Sequence, residues 1–228
     1  MAQNVYDRPD FFEGYGRLRR SVEGLDGAAE WPALRAMLPD LSGLRVADLG
    51  CGYGWFSRWA AGQGAQSVLA VDVSDKMLAR ARAGGVPAGV TYRHGDLDTL
   101  VLPAGGFDLV HSSLAFHYVA DASRLYGMIA RALAPGGRLV FSTEHPVYMA
   151  AERADWVQGP DGRRAWPVSG YFREGERVSD WLSQGVIKHH RTIGTTFAAL
   201  TGAGLRVERL VEFCPTAAQV AGPPGLAE

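Results

Sequence analysis

The feature that most constrains the fold is a regular alternation between residues 44 and 143. Short apolar runs recur at Leu44–Leu49, Ser67–Asp72, Val90–His94, Phe107–Ser112 and Arg138–Thr143. Between them, apolar residues fall three and four apart: Trp55, Phe56, Trp59 and Ala60; Met77, Leu78 and Ala81; Leu125, Met128, Ile129 and Leu133. The first pattern is that of strands, the second that of helices. Ser74 and Asp121 stand where helix N-caps belong, while Gly84-Gly85 with Pro87, and Pro135-Gly136-Gly137, stand where helices stop. Strands separated by helices pair in parallel through right-handed crossovers, which predicts an open α/β sheet with helices on both faces.

The flanks differ. Residues 1–40 read as a helical cap rich in aromatics (Tyr6, Phe11, Phe12, Tyr15, Trp31), and residues 144–190 break the alternation with Trp156, Trp166, Tyr171, Phe172 and Trp181 among arginines, glycines and prolines. That insertion reads as a lid after the fifth strand. Within it, 170–181 is expected to be a hairpin turning near Glu174-Gly175. Residues 191–228 are expected to hold a helix, Ile193–Ala203, and a strand, Leu205–Phe213. The whole is expected to be a single domain.

A net charge of −1 provides no basic field for nucleic acid. No apolar run is long enough to span a bilayer, and the N-terminus is too polar for a signal peptide. Cys51 and Cys214 form no metal or redox spacing, so a reduced, cytoplasmic protein is expected. No histidine pair at metal-ligand spacing is present, so no metal is expected.

The first strand ends in 46-VADLGCGYGWFSRWA-60, with Gly50, Gly52 and Gly54 inside five positions. Ligands of open α/β sheets sit at the carboxyl ends of the strands, and glycines let them approach the main chain. The dinucleotide fingerprint wants G-x-G-x-x-G, but the sixth position here is Trp55. Asp48, two residues before Gly50, either orients the loop or faces a cationic ligand group. The combination suggests a ligand with both a cationic and an anionic end.

On these residues the chain resembles the class I S-adenosylmethionine-dependent methyltransferases, of the stand-alone bacterial small-molecule type. VADLGCGYG, VLAVDVS, HGDL, FDLVHSSLAFHYV and ALAPGGRLVFS resemble five motifs of that family, in order. The resemblance implies a Rossmann-like sheet and S-adenosyl-L-methionine as cofactor, leaving S-adenosyl-L-homocysteine. It implies that Asp72 holds the ribose hydroxyls and that Asp96 and the Leu97 amide meet the adenine. Val73 accompanies Asp72, and Met77 either covers the adenine or is plain core. Gly50, Gly52 and the Cys51 amide belong to the cofactor loop, and Ser112 stands beside the methionine portion. Tyr15 or Arg20, from the cap, is expected to reach the methionine carboxylate; a solvated arginine face is the other account of Arg20.

Methyl transfer from a sulfonium is an in-line displacement, so the protein mainly supplies alignment and a dry pocket. A base is needed only where the acceptor carries a proton. The catalytic candidates are His145, either lining the acceptor pocket as a base or bonded within the lid, and His117, either a wall against the cofactor or a base. Glu144 is placed to orient such a histidine or to contact an amine directly. His189 and His190 alternate sides on a strand, so at most one faces the pocket. Trp156, Trp166, Tyr171 and Trp181 either clamp the acceptor or form a small core of their own, the latter favoured for Trp181.

The expected function is methyl transfer to an oxygen or nitrogen of a small molecule, with no nucleic-acid or membrane partner. An NAD(P)-linked oxidoreductase and a non-catalytic S-adenosylmethionine-binding protein are the rival readings. Family members end in a hairpin whose last strand enters the sheet, and no apolar alternating segment follows Phe213 here.

Overall fold

The computed structural model describes residues 3–151 and 156–214. Helices α1 (Pro9–Gly16), α2 (Arg19–Val22) and α3 (Trp31–Arg35) precede the sheet. Strand β1 (Arg45–Leu49) leads through the glycine loop to α4 (Trp55–Gly62), β2 (Ser67–Asp72), α5 (Asp75–Ala83), β3 (Val90–His94) and β4 (Phe107–Ser113). Helix α6 (Ala122–Ala132) and β5 (Leu133–Ser142) complete the alternation. The strands pair in parallel in the order β3-β2-β1-β4-β5. The order reverses at β1, so the glycine loop sits beside the crevice between β1 and β4.

Because successive strand residues point to opposite faces, the sheet buries two cores. Ala47, Leu49, Val71 and Val110 pack with Leu125, Met128 and Ile129 of α6. Val46, Val68, Ala70 and Leu109 pack with Phe56, Ala60, Leu78 and Trp31 on the other side. The expected caps form: Ser74 Oγ accepts from the Met77 amide at 3.0 Å, and Asp121 Oδ1 from the Arg124 amide at 2.9 Å. Helix α6 ends one residue before Leu133, and β5 already runs through Pro135-Gly136-Gly137 as a register shift opposite Phe107–Leu109. Gly136, at φ +80°, makes that irregularity possible.

After β5 come α7 (Pro146–Met149), a short ladder of β6 (Val157–Gln158) with β7 (Arg164–Ala165), the hairpin of β8 (Gly175–Ser179) with β9 (Val186–His190), and α8 (Ile193–Gly202). The hairpin is not the one expected. Gly175 starts a strand paired to His190, and the turn lies at 180–185. There the Gly185 amide donates to Asp180 Oδ1 at 3.1 Å, and Leu182 takes φ +58°. A second correction concerns Leu205–Phe213, which forms no ladder in the described residues. Leu205 and Val207 lean on the core, but the segment faces β5 across an open cleft rather than pairing with it. The tail expected to lack a final strand, residues 215–228, lies outside the described residues.

The N-terminal segment is tied to the hairpin and to the end of β2. Gln3 Nε2 donates to the Gly185 carbonyl and Gln3 Oε1 accepts from the Ile187 amide, while Arg8 donates to the Gln184 carbonyl. Phe11, fully buried, meets Trp181 edge-on at 5.5 Å. On the other side Asp7 Oδ1 accepts from Ser74 Oγ and the Lys76 amide, and Asn4 Nδ2 donates to the Val73 carbonyl.

Candidate active site

A cleft of about 1410 Å³ runs along the carboxyl edge of the sheet and continues beside β5, between residues 136–142 and 204–213. Its walls include Gly50, Gly52, Asp72, Val73, Met77, Asp96 and Leu97 from the first three strand ends, and Tyr15 and Arg20 from the N-terminal segment. His117, Glu144 and His145 line its other half, with Trp181 and His189 from the hairpin region.

The glycine loop is shaped by its own bonds. The Gly50 and Cys51 amides both donate to the Val71 carbonyl, at 2.8 and 3.0 Å, and the Gly52 amide donates to Asp72 Oδ2 at 2.8 Å. A Cβ on Gly50 would meet Ala115 Cβ at 2.4 Å, so the loop and the end of β4 touch only because that side chain is absent. At Gly52 a Cβ would enter open space. Both have positive φ, +76° and +51°. Leu114, just before Ala115, is held at φ +52°, a conformation rare for a leucine and found where a site dictates it.

Asp72 joins the glycine loop to the start of α5. Its second oxygen accepts from the Ser74 amide at 2.9 Å. Burial pushes its carboxyl up to about 6, against the pull of those two amides, and the charges of Asp48 and Asp7 add to the rise. A buried carboxylate with lone pairs left over is suited to two hydroxyl donors. The space at Gly52 and this carboxylate therefore fit an adenosyl group.

Three expected contacts do not line the cleft. Asp48 is buried beneath it, accepting from Ser57 Oγ at 2.6 Å and facing His111 Nδ1 at 3.0 Å. It orients β1 and α4 from below rather than meeting a ligand. Ser112 is also fully buried and donates to the Leu49 carbonyl. The Cys51 amide is taken by Val71, and burial raises its thiol well above the usual range.

Arg20 pairs with Glu30 Oε1, which also accepts from Ser113 Oγ at 3.0 Å. Both side chains are largely buried and line the cleft, so the arginine is not a solvated face. Tyr15 stands beside them, its ring edge-on to Tyr6 and Tyr53. Burial raises its phenol, which stays protonated at neutral pH.

The two candidate bases are both engaged. His145 Nδ1 accepts from the Val147 amide at 3.2 Å and Nε2 meets Glu212 Oε1 at 2.7 Å, so the proton sits on Nε2 and no lone pair is free. This histidine caps α7 and holds the C-terminal segment. His117 is almost fully buried, and burial drives it down to about 4, against the opposing charge of Glu144 and aided by Lys188. Its Nδ1 accepts from the Glu144 amide at 3.4 Å, and Nε2 lies 3.8 Å from Glu144 Oε1. It is a neutral wall of the cleft. Of the neighbouring histidines, His189 lines the cleft and His190 turns to the Tyr171 carbonyl. Trp166 stacks on Tyr148 at 4.7 Å with Trp156 against it, whereas Trp181 packs in a small core with Phe11 and Val186, as expected for it, and also lines the cleft.

Two residues escaped the sequence reading: Glu30 and Lys188. Lys188 is buried, pairs with Glu144 and lies 5.0 Å over the Trp181 ring. Its phase on β9, shared with buried Val186 and His190, was the available signal.

A parallel sheet whose crevice holds a glycine loop and a buried aspartate after the second strand defines a nucleoside-binding enzyme, and comparison gives its class. Residues 47–141 match the family model of the methyltransferase domain. The crystal structure of an S-adenosylmethionine-dependent methyltransferase from Mesorhizobium loti superposes with a TM-score of 0.83 at 59% identity, covering 90% of this chain and 93% of that one. An uncharacterized protein of Haemophilus influenzae is 32% identical over 92% of this chain and 85% of its own length. The malonyl-[acyl-carrier protein] O-methyltransferase of Pectobacterium atrosepticum is 39% identical over 48% of this chain, which spans 42% of that protein. The chain belongs to the S-adenosylmethionine-dependent methyltransferases. It is thus an enzyme using S-adenosyl-L-methionine, and the oxidoreductase reading falls away. No helix of the described residues is long and apolar enough to cross a membrane.

Proposed function

We propose that the enzyme methylates a nitrogen or oxygen of a small molecule, in a pocket roofed by the N-terminal segment and the β8–β9 hairpin. The carrying observation is the continuity of the cleft. It runs from Asp72 and Asp96 past Gly50 to Tyr118, Glu144 and Trp181, so one continuous space takes cofactor and acceptor side by side in this reading.

The bound cofactor supplies a methyl group on sulfonium, open to in-line attack. In this reading Asp72 takes the ribose hydroxyls, and Asp96, Leu97, Val73 and Met77 enclose the adenine. The Arg20–Glu30 pair offers one charge of each sign to the two charged ends of the methionine portion, with Tyr15 beside it. His117 walls the methyl position. Tyr6, Tyr118 and Trp181 exclude water from the acceptor side. The near-neutral net charge suits a small acceptor better than a nucleic acid.

The test is an incubation of cell extract with isotope-labelled methyl donor, read by mass spectrometry. Label in the small-molecule fraction, dependent on the enzyme, is the expected result. Label confined to RNA or protein overturns the reading.

A further inference from the structure

One carboxylate in the cleft is only half used. Glu144 follows β5 and faces the cleft with a largely buried side chain. All its partners gather on Oε1: Lys188 Nζ is bonded to it, and His117 Nε2 stands 3.8 Å away. Oε2 is buried with no hydrogen-bond partner in the described residues. Buried acceptors are nearly always paired, so an unpaired charged oxygen on a residue that lines the cleft marks a place where something else donates.

The surroundings hold the carboxylate in that state. Lys188 is buried on β9 and lies over the rings of Trp181 and Tyr118, at 5.0 and 5.9 Å. It cannot be drawn off by solvent. Burial alone would raise the Glu144 carboxyl, but the facing His117 and Lys188, the latter also by its hydrogen bond, outweigh it and hold it below the usual value. With His117 neutral at pH 7, Lys188 is the partner that keeps Glu144 ionised. The position also suits the chemistry. The Leu114 amide donates to the Ser142 carbonyl, tying the end of β4 to β5, and Ala115 lies against Gly50. The chain therefore runs from the cofactor loop through His117 to Glu144 without leaving the cleft wall.

Resting on the small-acceptor reading above, we propose that Glu144 Oε2 receives the N–H or O–H of the methyl acceptor and takes its proton, so the acceptor is an amine or a phenol and not a carboxylate. In the step, the acceptor lone pair forms the bond to the methyl carbon. The carbon–sulfur bond breaks with its electrons going to sulfur, which leaves as a neutral thioether. The proton passes from the acceptor to Oε2 and then to water. A carboxylate acceptor has no proton to give and would face the lone pairs of Oε2 directly. Neither histidine competes for this role, since His145 has no free nitrogen and His117 Nδ1 is taken by the Glu144 amide.

Calorimetry on the protein saturated with S-adenosylhomocysteine tests this with benzylamine, phenol and benzoate as probes. Benzylamine or phenol binds the natural protein at least tenfold more tightly than benzoate. Glu144→Gln weakens that binding at least tenfold while S-adenosylhomocysteine affinity is unchanged, and Glu144→Asp restores part of it. The inference is overturned if benzoate binds as well as the others, if neither benzylamine nor phenol binds, or if Glu144→Gln changes nothing. Should Glu144→Gln fail to fold, the probe comparison on the natural protein decides alone. Failure of the small-acceptor reading looks different: the probes behave as stated, yet labelled methyl in extract appears only in macromolecules.

Discussion

The two halves of the cleft are built by different means. On the cofactor side, the geometry is set by backbone: the Gly50 and Cys51 amides on the Val71 carbonyl, the Gly52 and Ser74 amides on Asp72, and a glycine in contact with Ala115. In the half lined by Glu144 it is set by paired side chains far apart in sequence: Lys188 with Glu144, His145 with Glu212. The first kind of site tolerates almost no change of residue. The second can be rewired one pair at a time, which is how one sheet comes to serve many acceptors.

The sharpest way to break this contrast is Gly50→Ala. The left-handed backbone and the clash with Ala115 together should cost about 2–5 kcal/mol, seen in thermal unfolding, with S-adenosylhomocysteine binding lost. A folded, binding-competent variant would mean the loop is not as rigid as described. Next, Asp72→Ala should weaken S-adenosylhomocysteine by about 3 kcal/mol or more, given roughly 1.5–3 kcal/mol for each charge-assisted bond to the ribose. Lys188→Met should lower stability by about 2–3 kcal/mol, because it leaves Glu144 charged and partly buried, yet leave S-adenosylhomocysteine affinity within about threefold. An equal loss of affinity would show that the two halves are one unit.

Proton linkage separates them again. Asp72 has a folded-state value of about 6, and ribose hydroxyls favour its ionised form, so S-adenosylhomocysteine affinity should hold above that pH and fall about tenfold per unit below it. Asp72→Asn should flatten the profile. His117 shows itself in folding rather than in binding. Its value is depressed to about 4, so the stability it contributes is present above about 6.5 and is lost as pH falls towards 4. A denaturation series on His117→Gln should show less acid sensitivity over that window. The smallest effect belongs to His145→Ala. Losing the cap and an exposed pair to Glu212 should cost about 1 kcal/mol by chemical denaturation, with methylation rates unchanged once an acceptor is in hand.

The same contrast explains what could be read from the sequence. The alternation of strands and helices, the caps at Ser74 and Asp121, and the place of Asp72 follow from local patterns: apolar period, cap chemistry, glycine spacing. The hairpin turn was misplaced because Glu174-Gly175 carries the same turn signal as Gln184-Gly185, and only pairing across the ladder separates them. Leu205–Phe213 alternates like a strand but meets no strand edge in the described residues. Asp48 was visible as a carboxylate at a strand end, yet whether it faces ligand or core depends on Ser57 and His111, nine and sixty-three positions away. Glu30 and Lys188 acquire meaning only from partners that the fold brings to them.

The ties among Gln3, Arg8, Phe11 and the hairpin have a mechanical consequence. The N-terminal segment and the β8–β9 hairpin share hydrogen bonds and an aromatic joint, so they make a single shutter, not two leaves. Passage of a bulky molecule beneath one requires the other to lift, and amide exchange at Phe12 and at Ile187 should quicken in step.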